Sequence, residues 1–299
     1  MRYTSLLLLA FLVSIFAPQA HAKDGIQVSP AFLEVDITKP GERKEVSVQV
    51  TNKTAREVTL DIYPLDFRQK DEFGSIGFLG LDNSYSYSLS SFLSFATRQL
   101  ILKPGETRDI IATITNRDDL SPGGHYAAVV AKEASSKEKA DDLTSVSPSI
   151  ASLLLIHKVG GERFNASVIS SSWPDGWSAL SYKKFFNLTI QNEGNIHITP
   201  YGRVEVRDMF GRLLSDGIIN PGSLIVLPES RRIIDVIMTP LAWSLPLSVN
   251  TLKVRGNDSL HKITYEYQTT FLYIDPLIVG AVAVIVIGIL FLVHKRRKR

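Results

Sequence analysis

Residues 39–52 read Lys-Pro-Gly-Glu-Arg-Lys-Glu-Val-Ser-Val-Gln-Val-Thr-Asn, and residues 103–116 read Lys-Pro-Gly-Glu-Thr-Arg-Asp-Ile-Ile-Ala-Thr-Ile-Thr-Asn. Each copy opens on a Pro-Gly turn and closes on Thr-Asn, with one strand's length between. Val46, Val48 and Val50 alternate with Glu45, Ser47 and Gln49, and Ile110, Ala112 and Ile114 hold the equivalent positions in the second copy. A period of two gives one buried face and one wet face, as in an antiparallel sheet. The copies lie too close together to be whole domains, so they read as two similar strands of one sandwich.

The same pattern extends outward. Val58, Leu60 and Ile62 alternate with polar residues, as do Phe186, Leu188 and Ile190 further on. No sustained helical period occurs between Lys23 and Asp275, and turn residues recur at short spacing. The expectation is an all-β chain of two immunoglobulin-like sandwich domains in tandem, residues 23–160 and 161–274. Residues 134–147 are polar enough to pass for a linker. The apolar run Ile150–Val159 would lack a sheet if it opened a new domain, so it reads as the last strand of the first sandwich, with the boundary near Gly160-Gly161.

Both ends carry their own signals. Arg2, the apolar stretch Leu6–Phe16 and Ala20-His21-Ala22 make a secretory signal peptide over residues 1–22. Residues 276–293 contain no charge and run into His294-Lys295-Arg296-Arg297-Lys298-Arg299. A single transmembrane helix is expected over 275–293, with the basic tail 294–299 in the cytoplasm and the sandwiches outside. The net charge of +3 then changes meaning: without the six positive charges of Arg2 and the tail, the ectodomain carries −3. The basic balance reports topology, and no nucleic-acid partner is implied.

There are no cysteines, which removes thiol chemistry and disulfides and favours a bacterial exported protein. Six histidines are scattered without metal-ligand spacing, and no nucleophile elbow, His-Glu-x-x-His helix or phosphate loop occurs. The expectation is a protein without catalytic residues, metal or cofactor.

Binding is left to three regions. Phe78, Tyr85, Tyr87 and Phe92 lie among serines and glycines in a long connection, a composition suited either to adaptable contact or to self-packing. Trp173 and Trp177 flank Pro-Asp-Gly, a tight turn that brings the two rings together to grip a sugar or, more simply, to staple a hairpin. The strand at 150–159, marked by Leu153 and Leu155, offers an edge for β-augmentation.

The succession Val28-Ser29-Pro30, Lys39-Pro40-Gly41-Glu42, Val50-Thr51-Asn52, Lys103-Pro104-Gly105-Glu106 and Gly123-Gly124-His125-Tyr126 resembles the first domain of periplasmic pilus chaperones. The layout of signal peptide, two immunoglobulin-like domains, one helix and basic tail is more similar to the WxL-interacting surface proteins of Gram-positive bacteria. That resemblance implies a membrane-anchored cell-surface protein whose first domain contacts the cell-wall polymer, peptidoglycan, and whose second contacts another surface protein. The chaperone likeness implies instead a membrane-tethered assembly factor that presents a strand edge to exported subunits.

Overall fold

The computed structural model describes residues 25–80, 84–134, 149–173, 185–245, 247–258 and 263–297, without the side chains of Pro276 and Val279. Ten strands come first: β1 (Ile26–Ser29), β2 (Phe32–Ile37), β3 (Arg43–Asn52), β4 (Val58–Gln69), β5 (Ile76–Phe78), β6 (Leu93–Phe95), β7 (Gln99–Leu102), β8 (Thr107–Thr115), β9 (Gly123–Glu133) and β10 (Ser149–Lys158). They form one sheet in the order β1-β3-β8-β6 and another in the order β2-β10-β9-β4-β5, with β7 also on β4. This is the immunoglobulin-like arrangement. Val48, Val50, Leu60, Ile110, Ile114, Leu154 and Ile156 from the facing sheets close one core.

The sequence echo has a direct structural cause. β3 and β8 are antiparallel neighbours, Arg43 opposite Thr115 and Thr51 opposite Thr107. Each Pro-Gly turn therefore meets the Thr-Asn end of the other strand. Gly41 N donates to Asn116 O at 2.8 Å, and Gly105 N donates to Asn52 O at 2.8 Å. Glu42 accepts the amides of Thr38 and Lys39, and Glu106 that of Lys103, so each acidic side chain closes its own turn. Gly41 and Gly105 sit at φ 74° and 76°, the left-handed region that favours glycine.

β9 shows no alternation in its run Gly123–Ala131 because both of its faces are covered. Ala127, Val129 and Ala131 face the first core. Tyr126, Ala128 and Val130 face outward, where they meet Phe67, Tyr87, Leu155 and, from beyond residue 160, Leu227.

Seven further strands follow: β11 (Ala166–Ser172), β12 (Phe185–Asn192), β13 (Tyr201–Arg207), β14 (Leu213–Ile219), β15 (Ser230–Pro240), β16 (Leu247–Asp258) and β17 (Ile263–Ile274). They form a single sheet in the order β11-β12-β15-β14-β13-β16-β17. β15 pairs with β14 only through Met238–Pro240, and at that short link the sheet folds over on itself. Phe186, Leu188, Val204, Val236 and Val254 fill the space between its halves. Its two ends approach each other, with Ser171 Oγ donating to Tyr267 Oη at 3.2 Å.

One residue, Asp275, separates β17 from helix α1 (Pro276–Arg297). Asp275 Oδ1 accepts Leu277 N at 2.9 Å and caps the helix, with proline at its first position. The membrane span expected over 275–293 is not shown: among the described residues no helix is long and apolar enough to cross a membrane. The expected signal peptide and most of the polar segment 134–147 lie outside the described residues.

Between β10 and β11, Glu162 turns back onto the chain. Its carboxylate accepts Gly161 N at 2.9 Å and contacts His157 Nε2 at 2.8 Å. The backbone amide of Gly161, helped by His157, lowers its pKa from 4.5 to about 2. A depressed carboxylate contributes stability above its unfolded value and loses it as pH falls through the folded one. Glu162→Gln is expected to flatten the drop in melting temperature between about pH 4.5 and pH 2. An acid limb identical to that of the parent would remove this contact from the account.

Candidate functional site

The edge expected at Leu153 and Leu155 is corrected by the register. β10 is flanked on both sides: β9 runs antiparallel along its whole length, and β2 runs parallel beside Leu153–Lys158, with Phe32 opposite Leu153 and Glu34 opposite Leu155. These two leucines are therefore covered, and Leu155 is fully buried against Tyr126 and Leu227. The edge survives one turn of pleat earlier. β2 starts only opposite Leu153, so along Ser149–Ser152 β10 pairs with β9 on one side, and on the other β1 lies nearby but no strand among the described residues pairs with it.

The direction of the free groups follows from alternation. Leu153 N donates to Ala31 O at 2.9 Å, so its backbone points toward β2. Ala151 and Ser149, two and four residues back, direct their amides and carbonyls the same way, into the open side. Ile150 packs on the first core and anchors the segment. Ser152 is buried and donates from Oγ to Pro30 O at 2.8 Å, marking where the β1–β2 connection leaves the edge uncovered.

Next to this edge, a cleft of about 270 Å³ opens between the sheet containing β10 and the loop before β15. Phe32, Phe67, Leu153 and Leu155 line one wall, Leu224 and Leu227 the other, and Arg232 contributes one cation. Arg232 Nη1 donates to Ile225 O at 2.8 Å, while its buried Nε has no hydrogen-bond partner among the described residues. Burial pushes the guanidinium's pKa down, and Asp71 pulls it back up. The guanidinium lies where a side chain on Gly74 would be, and Gly74 has φ 85°. Glycine is required there twice over, by conformation and by space.

The two sandwiches meet through a polar and aromatic seam beside the cleft. Tyr126 Oη accepts His197 N at 2.8 Å, Tyr87 Oη donates to Glu229 Oε1 at 2.9 Å, and Ile233 N donates to Glu72 O at 2.7 Å. Ser230 Oγ donates to Gln69 Oε1 at 2.9 Å, and Arg231 pairs with Glu72 at 2.6 Å. Burial, helped by the neighbouring Glu229, raises the Tyr87 pKa to about 12, so it stays a neutral donor.

The remaining predicted residues divide between packing and exposure. Tyr85 and Tyr87 meet edge to face at 5.4 Å beneath the long connection. Phe92 packs on the first core under Arg117, whose guanidinium is 4.4 Å from the ring centroid. Phe78 stands exposed on β5. Trp173 lies 4.9 Å from Phe186 and 6.4 Å from Phe271, packed on the second core. Trp177 lies outside the described residues. Phe32, Tyr126, Leu227 and Arg232 were not singled out from the sequence. Only the unalternating run around Tyr126 carried a signal, since it marks a strand covered on both faces. Among the described residues no group of three or more His, Asp or Glu is placed to hold a metal ion.

No protein-family model matches the chain, and no curated protein matches it as a relative. Among solved structures, the class 5 fimbriae chaperone CfaA is similar at TM-score 0.43 and 14% identity, over 84% of this chain and 99% of that one. A chaperone–tip adhesin complex of CFA/I fimbriae biogenesis gives 0.42 and 12% over the same shares. The Salmonella enterica SafA pilin–SafB chaperone complex gives 0.38 and 10%, over 85% of this chain and 98% of that one. The resemblance to WxL-interacting surface proteins finds no support among these matches. These solved structures are pilus-chaperone-like immunoglobulin folds, the more distant of the two resemblances read from the sequence.

Proposed function

We propose that the chain is an assembly factor of chaperone type, which takes an extended segment of an exported protein onto the open edge of β10. The observation that carries this is that no strand among the described residues pairs with Ser149–Ser152 on the side toward which Ala151 and Ser149 direct their main-chain groups. Such an edge recognises main chain, and side chains of the incoming strand fall alternately toward Ile150 and toward the apolar cleft. The glycan strands of peptidoglycan have no amide ladder and its peptide stems are too short to run along a strand, so a protein partner fits this edge better. We take residues 23–160 as the capturing domain and 161–274 as its support. The charge-free run 276–293 followed by Lys295–Arg299 supports a tether in the membrane, with the tail inside. The reading involves binding only, with no cofactor.

Ala151→Pro tests the edge selectively. The Ala151 amide points away from β9, so proline there removes a donor from the open side and leaves the β9 ladder intact. A photo-crosslinking residue at Ala151 in the full-length chain is expected to trap an exported protein. The same residue at Ile218, exposed on β14, is expected to trap none. Proline at 151 should reduce complex recovered from detergent-solubilised membranes by at least about ten-fold, roughly 1.4 kcal/mol, with the melting temperature little changed. Equal trapping at both positions, or undiminished recovery with proline, would sink the proposal.

A further inference from the structure

The second sandwich has two ends of opposite character. One carries Asn195, His197, Leu227 and Glu229 and faces the first sandwich. The other gathers the β13–β14 hairpin, the β15–β16 connection and the end of β17, because Arg207 pairs with Thr251, Ser215 with Pro240 and Leu247 with Ile274. Here the connections display apolar side chains: Phe210 is 77% exposed, Trp243 66% and Leu247 64%, with Met209, Leu241 and Ile274 also exposed.

The display is built. Asp208, almost wholly buried, accepts Phe210 N at 3.0 Å and Arg212 N at 2.9 Å through Oδ1, and Arg212 Nε at 3.0 Å through Oδ2. Gly211 turns the hairpin at φ 81°. Arg212 then donates from Nη2 to Trp243 O at 2.9 Å, with its guanidinium carbon 5.5 Å from the indole centroid, tying the two connections together. A buried carboxylate thus holds a rigid hairpin with a phenylalanine pointing into solvent, which does nothing for the core. Exposed apolar clusters of this kind mark an interaction surface.

We propose that this end of the second sandwich is seated in the headgroup region of the membrane that holds α1. The inference rests on the tether proposed above. What selects lipid over another occupant is continuity: Asp275 is the only residue between Ile274 and the apolar helix, and it caps that helix. At roughly 3.3 Å of rise per strand residue, Ile274, two residues before Pro276, and its cross-strand neighbour Leu247 stand within about 10 Å of the point where the apolar helix begins. Trp favours that boundary, where its ring is buried and its N–H stays wet, and Phe210 adds apolar area to the same surface. Arg212, beside Trp243, is placed to meet lipid phosphate while its stem lies along apolar surface.

The chain has no cysteine, so a single one reports cleanly. Phe210→Cys and Ile218→Cys are labelled with nitrobenzoxadiazole in the full chain, reconstituted in phosphatidylcholine–phosphatidylglycerol vesicles. Ile218 is 64% exposed and lies toward the opposite end, so both labels sit on surface. Lipid carrying a shallow doxyl quencher is expected to lower emission at position 210 by about two-fold or more and to leave position 218 unchanged. Equal response at both positions overturns the proposal. So does a label at 210 shielded from aqueous quencher but untouched by doxyl lipid, which would indicate a protein neighbour or a second copy. Alkaline extraction separates the two readings. Release of the chain defeats the tether and the seating together, whereas a retained chain with an unquenched label defeats the seating alone.

Discussion

Tyr126→Ala is expected to destabilise the chain by about 3–5 kcal/mol and to split its thermal unfolding into two transitions. Tyr126 is fully buried, with its ring centroid 6.0 Å from that of Phe67, 6.4 Å from Tyr87 and 5.7 Å from His197. Its hydroxyl accepts the His197 amide, and it fills the space that a side chain on Gly124 would occupy. Truncation opens a cavity where the two sandwiches meet and leaves a buried amide without an acceptor. The first cost is lost packing; the second is desolvation without return, about 1–3 kcal/mol. Tyr126→Phe keeps the ring and loses only the hydroxyl, so it should cost no more than that second term. Calorimetry of both variants checks the order. A single transition at the parent's temperature in Tyr126→Ala would mean the seam contributes nothing to holding the sandwiches together.

The second large effect separates the two halves of the sequence echo. Asn52 is fully buried, donating to Arg56 O at 2.8 Å and Leu102 O at 3.0 Å, and accepting Thr54 N at 2.9 Å and Thr54 Oγ1 at 2.6 Å. Its side chain fixes the chain leaving β3 and ties it to the end of β7. Asn116, its sequence counterpart, donates to Lys39 O at 2.8 Å, and its buried Oδ1 has no partner among the described residues. Asn52→Ala should cost about 3 kcal/mol, because several buried groups lose partners at once, and Asn116→Ala about 1 kcal/mol. Urea unfolding of the two variants measures the difference. Equal costs would show that the echo is energetically symmetric and that the hydrogen bonds of Asn52 count for little.

These predictions also show how far local pattern reaches. The alternation of Val46, Val48 and Val50 indicates a strand with a buried face, and the second Lys-Pro-Gly-Glu copy indicates a related strand in the same sandwich. Both statements need only the pleat. That β3 and β8 lie side by side, each Thr-Asn on the other's turn, is a matter of register between distant segments. Leu153 and Leu155 show the cost of missing register. Their apolar alternation correctly marks a strand, but β2, more than a hundred residues earlier, pairs along their edge and leaves Ser149–Ser152 without a paired strand on that side among the described residues. The strand around Phe186, Leu188 and Ile190 was legible because its alternation is local. Arg232 was not, because the cleft that gives it meaning is assembled from β2, β4, β10 and the loop before β15.

The sequence by itself determined the all-β character, the strands that alternate most clearly, such as those at residues 46–50, 58–62 and 186–190, the turn chemistry at Gly41 and Gly105, and the charge-free run that ends in a basic tail. Each depends on interactions within a few residues: steric limits on φ, the period of the pleat, and transfer of apolar side chains from water. Tertiary structure alone decided which part of β10 stays unpaired, how Tyr126 and Leu227 join the sandwiches, and why Phe210 and Trp243 share one end of the second. Those outcomes depend on pairing between segments far apart in the chain, where closing long loops is offset by burial that no single segment can achieve alone.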